Sequence, residues 1–388
     1  MMVFAASFFL QFDMSMRTIQ SRERTGGDKV ECELTIVHVV ESFGGGVFSF
    51  LCHLINGLSD YRHVVIYGTQ RKEFPSNFET FFPRNVQFIP WEYAQREVSP
   101  LQDFRALVRL VQILRKLQPV QKMHLHSSKA GFLGRMAARL LGFSNRVLYT
   151  PHGAAFLRED ISGRKKQFYI LLERFADRLA GNVICCSESE CRAFKEIGIQ
   201  DARFVNNSCP PLQVHASHQD KGKQILIVSS GRMTYQKDPG LFQSIAEHFV
   251  GWKDVRFLWI GGGEHGAGFD AENISQTGWI GPAEVAEYMA SADIYVSTSR
   301  WEGLPISVLE AMSIGLPLLL SDCVGNCDCV KGNGFLFQSL EEATTQLEAM
   351  ILNEGLRKEQ GKASKALFEE RFSMRNLLDS YRKLYKNG

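Results

Sequence analysis

The sequence predicts an α/β protein built of two doubly wound parallel-sheet domains in tandem. Short β-branched runs alternate with stretches of helical periodicity, and this alternation runs twice, on either side of a turn-rich segment without periodicity. Three glycine-rich loops, Gly44-Gly45-Gly46, Gly231 and Gly261-Gly262-Gly263-Glu264, follow candidate strands. In such sheets ligands collect beyond the carboxyl ends of the strands. A chain of 388 residues suffices for two cores in domains of about 150–200 residues.

The elements follow in order. Residues 34–40 read as a buried strand running into the first glycine loop, then a helix over 47–58, then a strand at 63–67. Leu101, Phe104, Leu107, Val108, Val111 and Leu114 recur at helical spacing, with Arg105, Arg109, Arg115 and Lys116 mostly off the stripe. A strand at 123–126 leads to a helix at 130–141, and strands at 146–150 and 183–186 flank a helix around 167–179. The linker, 206–223, carries Asn, Ser and Pro turn residues. Beyond it, strands are expected at 224–229, 255–260, 276–280, 294–297 and 317–321, and a last helical stretch at 362–386. The boundaries drawn from this pattern are an extension at 1–32, domains at 33–208 and 209–370, and a C-terminal helix at 371–388 that packs back on the first domain. Two facing domains of this kind define a cleft.

Composition excludes several classes. With 22% charged and 45% hydrophobic residues and a mean hydropathy of −0.13, the chain is of ordinary globular make-up. No apolar run reaches the ~20 residues of a membrane-spanning helix. The apolar segment at 3–10 lacks a preceding basic region and reads as an extension rather than a secretory signal. Nine cysteines is an odd number, and adjacent Cys185 and Cys186 in an apolar run read as buried thiols, which points to a reducing compartment. Cys323, Cys327 and Cys329 have no second Cys/His pair at zinc-site spacing, so no metal is expected there.

Charge is unevenly distributed. Residues 1–210 carry 27 Lys/Arg against 20 Asp/Glu, and within 104–178 the balance is 15 against 4. That run suits an anionic bilayer or a phosphorylated acceptor, or else belongs to solvated helix faces. No nucleic-acid-reading module accompanies it.

Two segments carry the chemistry. In Ser230-Gly-Arg-Met-Thr-Tyr-Gln-Lys-Asp238 a strand ends at a glycine and delivers Arg232 and Lys237 to one loop. Such a pair forms a diphosphate clamp, the guanidinium as a planar fork and the ammonium as a point charge; the alternative is an ordinary solvated loop. In Ser299-Arg-Trp-Glu-Gly-Leu-Pro-Ile-Ser-Val-Leu-Glu-Ala-Met312, Pro305 suits the first helical position, which puts Glu302 before the helix and Glu310 on its second turn. Backbone N–H groups from Leu304 to Ser307 would then favour a phosphate. A carboxylate in an otherwise apolar helix is costly unless paired or facing a ligand.

Glu302 and Glu310 match the E-x7-E element of retaining glycosyltransferases of the GT-B fold, and the chain from about residue 33 onward resembles glycosyltransferase family 4. The resemblance extends over the first glycine loop, His124-Leu-His-Ser-Ser-Lys-Ala-Gly131, Tyr149-Thr-Pro-His-Gly153, the Arg232 and Lys237 loop, Gly261–Glu264 and Ala292-Asp-Ile-Tyr-Val-Ser-Thr-Ser299. It implies an acceptor-side first domain and a nucleotide-sugar donor-side second domain. It implies Gly45 and Gly46 near donor phosphates or acceptor, His152 beside the donor sugar, and Arg232 and Lys237 on the diphosphate. Glu302 would meet the sugar hydroxyls and Glu310 the ribose. The loop of Gly303, Leu304, Pro305, Ile306 and Ser307 would supply backbone donors from its non-proline residues.

The implied enzyme is a hexosyltransferase that moves sugar to a glycan or lipid-linked acceptor in cell-surface polysaccharide biosynthesis, with anomeric retention. Since no Asp-x-Asp occurs, metal-independent catalysis by fixed cations is expected, with no cofactor. The expected location is cytoplasmic, peripheral on the inner membrane face, with no nucleic-acid partner. The rival readings are a nucleotide-sugar epimerase of the same fold and a catalytically silent partner subunit.

Overall fold

The computed structural model describes residues 34–69, 77–95, 97–213, 224–263 and 268–387. The extension at 1–32, linker residues 214–223 and Glu264 lie outside the described residues. The chain divides into two compact units: one comprises the described residues up to Asn207 together with Met374 onward, the other Ser208–Ser373.

The first unit is a parallel sheet in the order β3-β2-β1-β4-β5-β6-β7, formed by β1 (Thr35–Val40), β2 (Arg62–Gly68), β3 (Gln87–Trp91), β4 (Lys122–His126), β5 (Val147–Thr150), β6 (Asn182–Cys185) and β7 (Arg203–Phe204). Its helices are α1 (Gly45–Gly57), α2 (Pro100–Lys116), α3 (Ser128–Leu141), α4 (Gly163–Asp177) and α5 (Glu188–Glu196). Alternation along each strand splits the buried residues between two faces. Val37, Val64, Met123 and Val147 lie in register on one face and pack with Leu110, Leu114 and Leu133 in the main core. The opposite face sets buried histidines among apolar residues such as Ile36, Val65 and Leu148. Ile36 pairs with His63 and His38 with His124, so the strand period puts His38, His63, His124 and His126 on one side.

The second unit is a parallel sheet in the order β10-β9-β8-β11-β12-β13. It comprises β8 (Ile225–Ser230), β9 (Val255–Ile260), β10 (Ile274–Gln276), β11 (Ile294–Ser297), β12 (Leu318–Ser321) and β13 (Gly334–Phe337). Ile227, Phe257, Trp259, Val296 and Leu319 meet Phe242, Ile245 and Leu347 in its core. The helices are α6 (Pro239–His248), α7 (Pro282–Ser291), α8 (Ile306–Ser313), α9 (Leu340–Leu352) and α10 (Glu354–Arg371). Strand order reverses between β1 and β4 in one unit and between β8 and β11 in the other, the positions at which doubly wound sheets receive ligands.

Several expected elements move. The strand placed at 276–280 is β10 at Ile274–Gln276, because Gly278 (φ 69°) and the Gly281-Pro282 step turn the chain into α7. β3 was not expected: Pro90 interrupts its pattern, and the strand lies at the sheet edge, where proline is tolerated. The single helical stretch at 362–386 is two helices, α10 and α11 (Met374–Asn387), divided at Phe372-Ser373. Arg371 therefore ends a helix of the second unit, and only Met374 onward belongs with the first. Tyr381 and Tyr385 of α11 are buried against the histidine face.

Candidate functional site

In the second unit the loops after β8 and β9 touch backbone to backbone. A Cβ on Gly261 (φ 139°) would lie 2.2 Å from the Gly231 carbonyl oxygen, and the Trp259 indole N–H donates to that same oxygen at 2.8 Å. The glycines at these strand ends serve a close approach of two loops. Met233 N–H bonds the Gly262 carbonyl at 3.0 Å and fixes the segment that carries Arg232, which is half-buried.

Lys237 closes that loop. Its Nζ lies 2.8 Å from Glu302 Oε1, both side chains being mostly buried. Gln236 donates to the Trp301 carbonyl at 2.9 Å, and Thr298 Oγ1 donates to the carbonyls of Lys237 and Asp238 at 2.9 Å. Arg300 pairs with Asp238 at 2.6 Å, and the Asp238 carboxylate caps α6 by accepting from Leu241 N–H. The loops after β8 and β11 are thus laced together, which brings Lys237 and Glu302 into contact across 65 positions of sequence.

Electrostatics follow from burial. Desolvation opposes the Lys237 ammonium, but Glu302 and Tyr295 outweigh it and hold its pKa above the ordinary lysine value. Desolvation pushes the Glu310 carboxyl up to about 7, with Lys237 pulling it back. One ammonium therefore acts on two carboxylates.

Pro305 is the residue before α8 rather than its first helical position, with φ −74° and ψ 120°, and the helix starts at Ile306. Its carbonyl accepts from Val308 and Leu309 N–H, so the turn is tightened at its very start. Glu302 N–H bonds the Val324 carbonyl at 3.1 Å. Gly325 (φ 88°) lies so close that a Cβ there would come within 2.8 Å of the Gly303 carbonyl oxygen. Leu304 is buried beneath the turn. Cys329 is buried and donates to the Gly325 carbonyl at 3.6 Å. Cys323, Cys327 and Cys329 on this loop form no disulfide.

The remaining sequence-derived residues belong to the first unit. Gly45, with φ 57°, opens α1, and Gly45 and Gly46 are exposed at a helix start without a side-chain cap. Phe50, on the same helix, sets its ring edge-on to His152 at 4.7 Å between centroids. His152 (φ 55°) and Gly153 (φ 87°) form two consecutive left-handed residues after β5. His152 Nε2 is 3.1 Å from His126 Nδ1, and its Nδ1 is 3.4 Å from Cys186 Sγ. Both ring nitrogens of His152 thus have protein partners.

Sequence reasoning missed Glu190. Its Oε1 accepts from Gly153 and Ala154 N–H at 2.8 and 3.1 Å, and its Oε2 from Cys186 N–H at 2.8 Å. Burial raises its pKa to about 7, and the three backbone donors oppose that shift. A carboxylate at the third position of a helix capped by Ser187 reads in sequence as a cap residue; only the fold shows it strapping the His152 loop.

Sequence reasoning also missed the histidine face. Among the described residues, His38, His124 and His126 bring ring nitrogens within 4.8 Å of one another, the arrangement closest to a metal-ligand set. Their nitrogens already have hydrogen-bond partners. His38 Nδ1 meets His126 Nε2 at 3.1 Å, and His124 meets the Tyr385 hydroxyl and Thr150 Oγ1, each at 2.8 Å. These rings form a hydrogen-bond network.

Residues 45–208 match the family described as glycosyl transferase 4-like domain, and residues 224–353 match glycosyl transferases group 1. An Escherichia coli UDP-Gal:alpha-D-GlcNAc-diphosphoundecaprenol alpha-1,3-galactosyltransferase is 30% identical over 66% of this chain and 72% of its own. The E. coli O-antigen biosynthesis glycosyltransferase WbnH is 30% identical over 62% and 69%. Among solved structures, sucrose-phosphate synthase from Thermosynechococcus elongatus superposes with a TM-score of 0.74 at 15% identity, covering 91% of this chain and 98% of its own. Anabaena HepE in complex with UDP-glucose superposes with a TM-score of 0.72 at 17% identity, covering 92% and 100%.

Proposed function

The chain belongs to the GT-B glycosyltransferases, and on that premise we propose that it moves a sugar, with retention, from a nucleotide-diphosphate sugar to a lipid-linked glycan intermediate in cell-surface polysaccharide assembly. The observation that carries the donor half is Lys237, fixed 2.8 Å from Glu302 and acting on Glu310. In the filled site Lys237 and Arg232 hold the diphosphate, Glu302 accepts from the sugar hydroxyls, and Glu310 accepts from the ribose. The turn Gly303, Leu304, Pro305, Ile306 and Ser307 supplies backbone groups beside the phosphates.

The chemistry follows from charge. As the glycosidic bond breaks, the departing diphosphate gains negative charge, and a fixed ammonium already in place stabilises it without reorganisation. Front-face attack lets the leaving phosphate oxygen accept the acceptor hydroxyl's proton, which accounts for retention with no general base. The absence of an Asp-x-Asp element supports a metal-independent reading. In this account His152 stands beside the donor sugar, and the Glu190 strap holds its loop in shape.

The acceptor half draws on the acceptor of the Escherichia coli relative, a diphosphoundecaprenol-linked sugar, and on surface chemistry. No helix among the described residues is long and apolar enough to cross a membrane. Leu101 and Phe104 on α2, and Phe168, Leu171 and Phe175 on α4, are exposed, and these helices carry Arg105, Arg164, Lys165 and Lys166. Apolar side chains among cations suit peripheral binding to an anionic bilayer.

Thermal-shift titration with UDP, GDP and TDP sugars, and with CMP sugars as a monophosphate control, tests the donor half. Stabilisation by one nucleoside-diphosphate class and none by CMP sugars is expected. Stabilisation by no diphosphate sugar overturns the reading.

A further inference from the structure

Four histidines are strung in series along the sheet face of the first unit opposite its main core. His63 Nε2 lies 2.9 Å from the Leu58 carbonyl oxygen. His63 Nδ1 is 3.0 Å from His38 Nε2, His38 Nδ1 is 3.1 Å from His126 Nε2, and His126 Nδ1 is 3.1 Å from His152 Nε2. The run ends at Cys186, whose Sγ is 3.4 Å from His152 Nδ1. Successive rings stack at 5.3–5.4 Å between centroids.

A carbonyl oxygen only accepts, so His63 Nε2 must carry a proton. A neutral imidazole has one N–H, so His63 Nδ1 is an acceptor and His38 Nε2 must donate to it. The same rule passes from ring to ring and makes every Nε2 a donor and every Nδ1 an acceptor. At the far end only Nδ1 of His152 is left with a lone pair, and the Cys186 thiol hydrogen points at it. The rings are neutral. Burial holds His38 and His126 well below the ordinary histidine value and lowers His152 to about 3. Burial also lowers His63, against its bond to Leu58 and the nearby Asp60. Along the row lie Phe50, Tyr61, Tyr381 and His124, and His124 is occupied by Tyr385 and Thr150.

We infer that His63, His38 and His126 are positioning residues that, starting from the Leu58 carbonyl, lock His152 as the Nε2–H tautomer and make its ring an acceptor only. The inference rests on the assignment of the His152 loop to the sugar site. A terminal carbonyl cannot take up a proton, so the row is a tautomer lock and not a relay to solvent. A sugar hydroxyl that displaces the Cys186 thiol from His152 Nδ1 must therefore donate to it, which selects ligands offering an O–H at that point.

Two-bond nitrogen–proton NMR of the full chain with labelled histidine reads each tautomer directly. All four rings are expected as neutral Nε2–H forms at neutral pH; an Nδ1–H tautomer or an imidazolium at any of them overturns the lock. His63→Leu removes the anchor and is expected to mix the tautomers at His152 and lower kcat about tenfold with little change in donor KM. His63→Gln, whose amide donates to Leu58 and accepts from His38, is expected to restore both. His152 signals identical in His63→Leu and wild type would also refute the lock. Should His63→Leu fail to fold, the wild-type pattern and His63→Gln still decide. If UDP-glucose and its GDP and TDP counterparts all leave the His152 signals unmoved while the tautomer pattern is intact, the sugar-site assignment fails and the lock stands.

Discussion

Lys237 and Glu302 form a 2.8 Å ion pair between two strand-end loops, and the same ammonium pulls on the raised carboxyl of Glu310. The pair is mutually dependent: removing Lys237 leaves the buried Glu302 carboxylate without its cation, whereas removing both partners does not. Lys237→Met is therefore expected to destabilise the chain by about 1–3 kcal/mol, and Lys237→Met with Glu302→Gln by less. Urea unfolding of the double-mutant cycle checks this; strictly additive losses would show that the two groups do not interact.

Glu310 makes stability depend on pH in a known direction. Its folded pKa of about 7 lies above the ordinary 4.5, so between those values the folded chain holds a proton that the unfolded chain has released. Stability from this group is complete below pH ~4.5 and is lost as pH rises through about 7, by on the order of 3 kcal/mol. Melting of wild type and Glu310→Gln is expected to diverge across that window, the variant gaining relative stability at the alkaline end. A constant difference would place Glu310 in water.

Gly261 tests the loop packing. Its φ of 139° and the 2.2 Å approach of the Gly231 carbonyl leave no room for a methyl group, so Gly261→Ala is expected to cost more than about 2 kcal/mol. Gly251, with nothing within 4 Å of a built Cβ, is the control, and Gly251→Ala should change stability by less than about 1 kcal/mol. Equal melting of the two variants would contradict the packing described.

Glu190→Ala strips the acceptor from three backbone N–H groups. A loss of about 2–4 kcal/mol is expected, together with faster amide exchange at Gly153, Ala154 and Cys186. Unchanged exchange at these amides would mean that the carboxylate does not hold the loop.

What could be read in sequence was whatever depends on local pattern. The strand–helix alternation, the glycine loops and the pairing of Arg232 with Lys237 on one loop follow from neighbours along the chain. β3 escaped because Pro90 breaks a strand pattern everywhere but at an edge, and edge status is a property of the sheet. Glu190 escaped because a capping position explains it locally. The histidine row escaped because it depends on register: His38 and His63 share a face only through the pairing of Ile36 with His63. Lys237 and Glu302 were each singled out, but their contact is made by tertiary structure, through Thr298 and the ends of β8 and β11.

The central claim is that fixed cations of the second unit, Lys237 foremost, grip the donor diphosphate. Equilibrium binding of UDP, GDP and TDP by calorimetry, with wild type and Lys237→Met in excess EDTA, tests it most directly. The account predicts that wild type keeps its affinity for its cognate diphosphate under chelation and that the variant loses about tenfold or more. Affinity that vanishes in EDTA and returns with magnesium, or that is equal in variant and wild type, would contradict it.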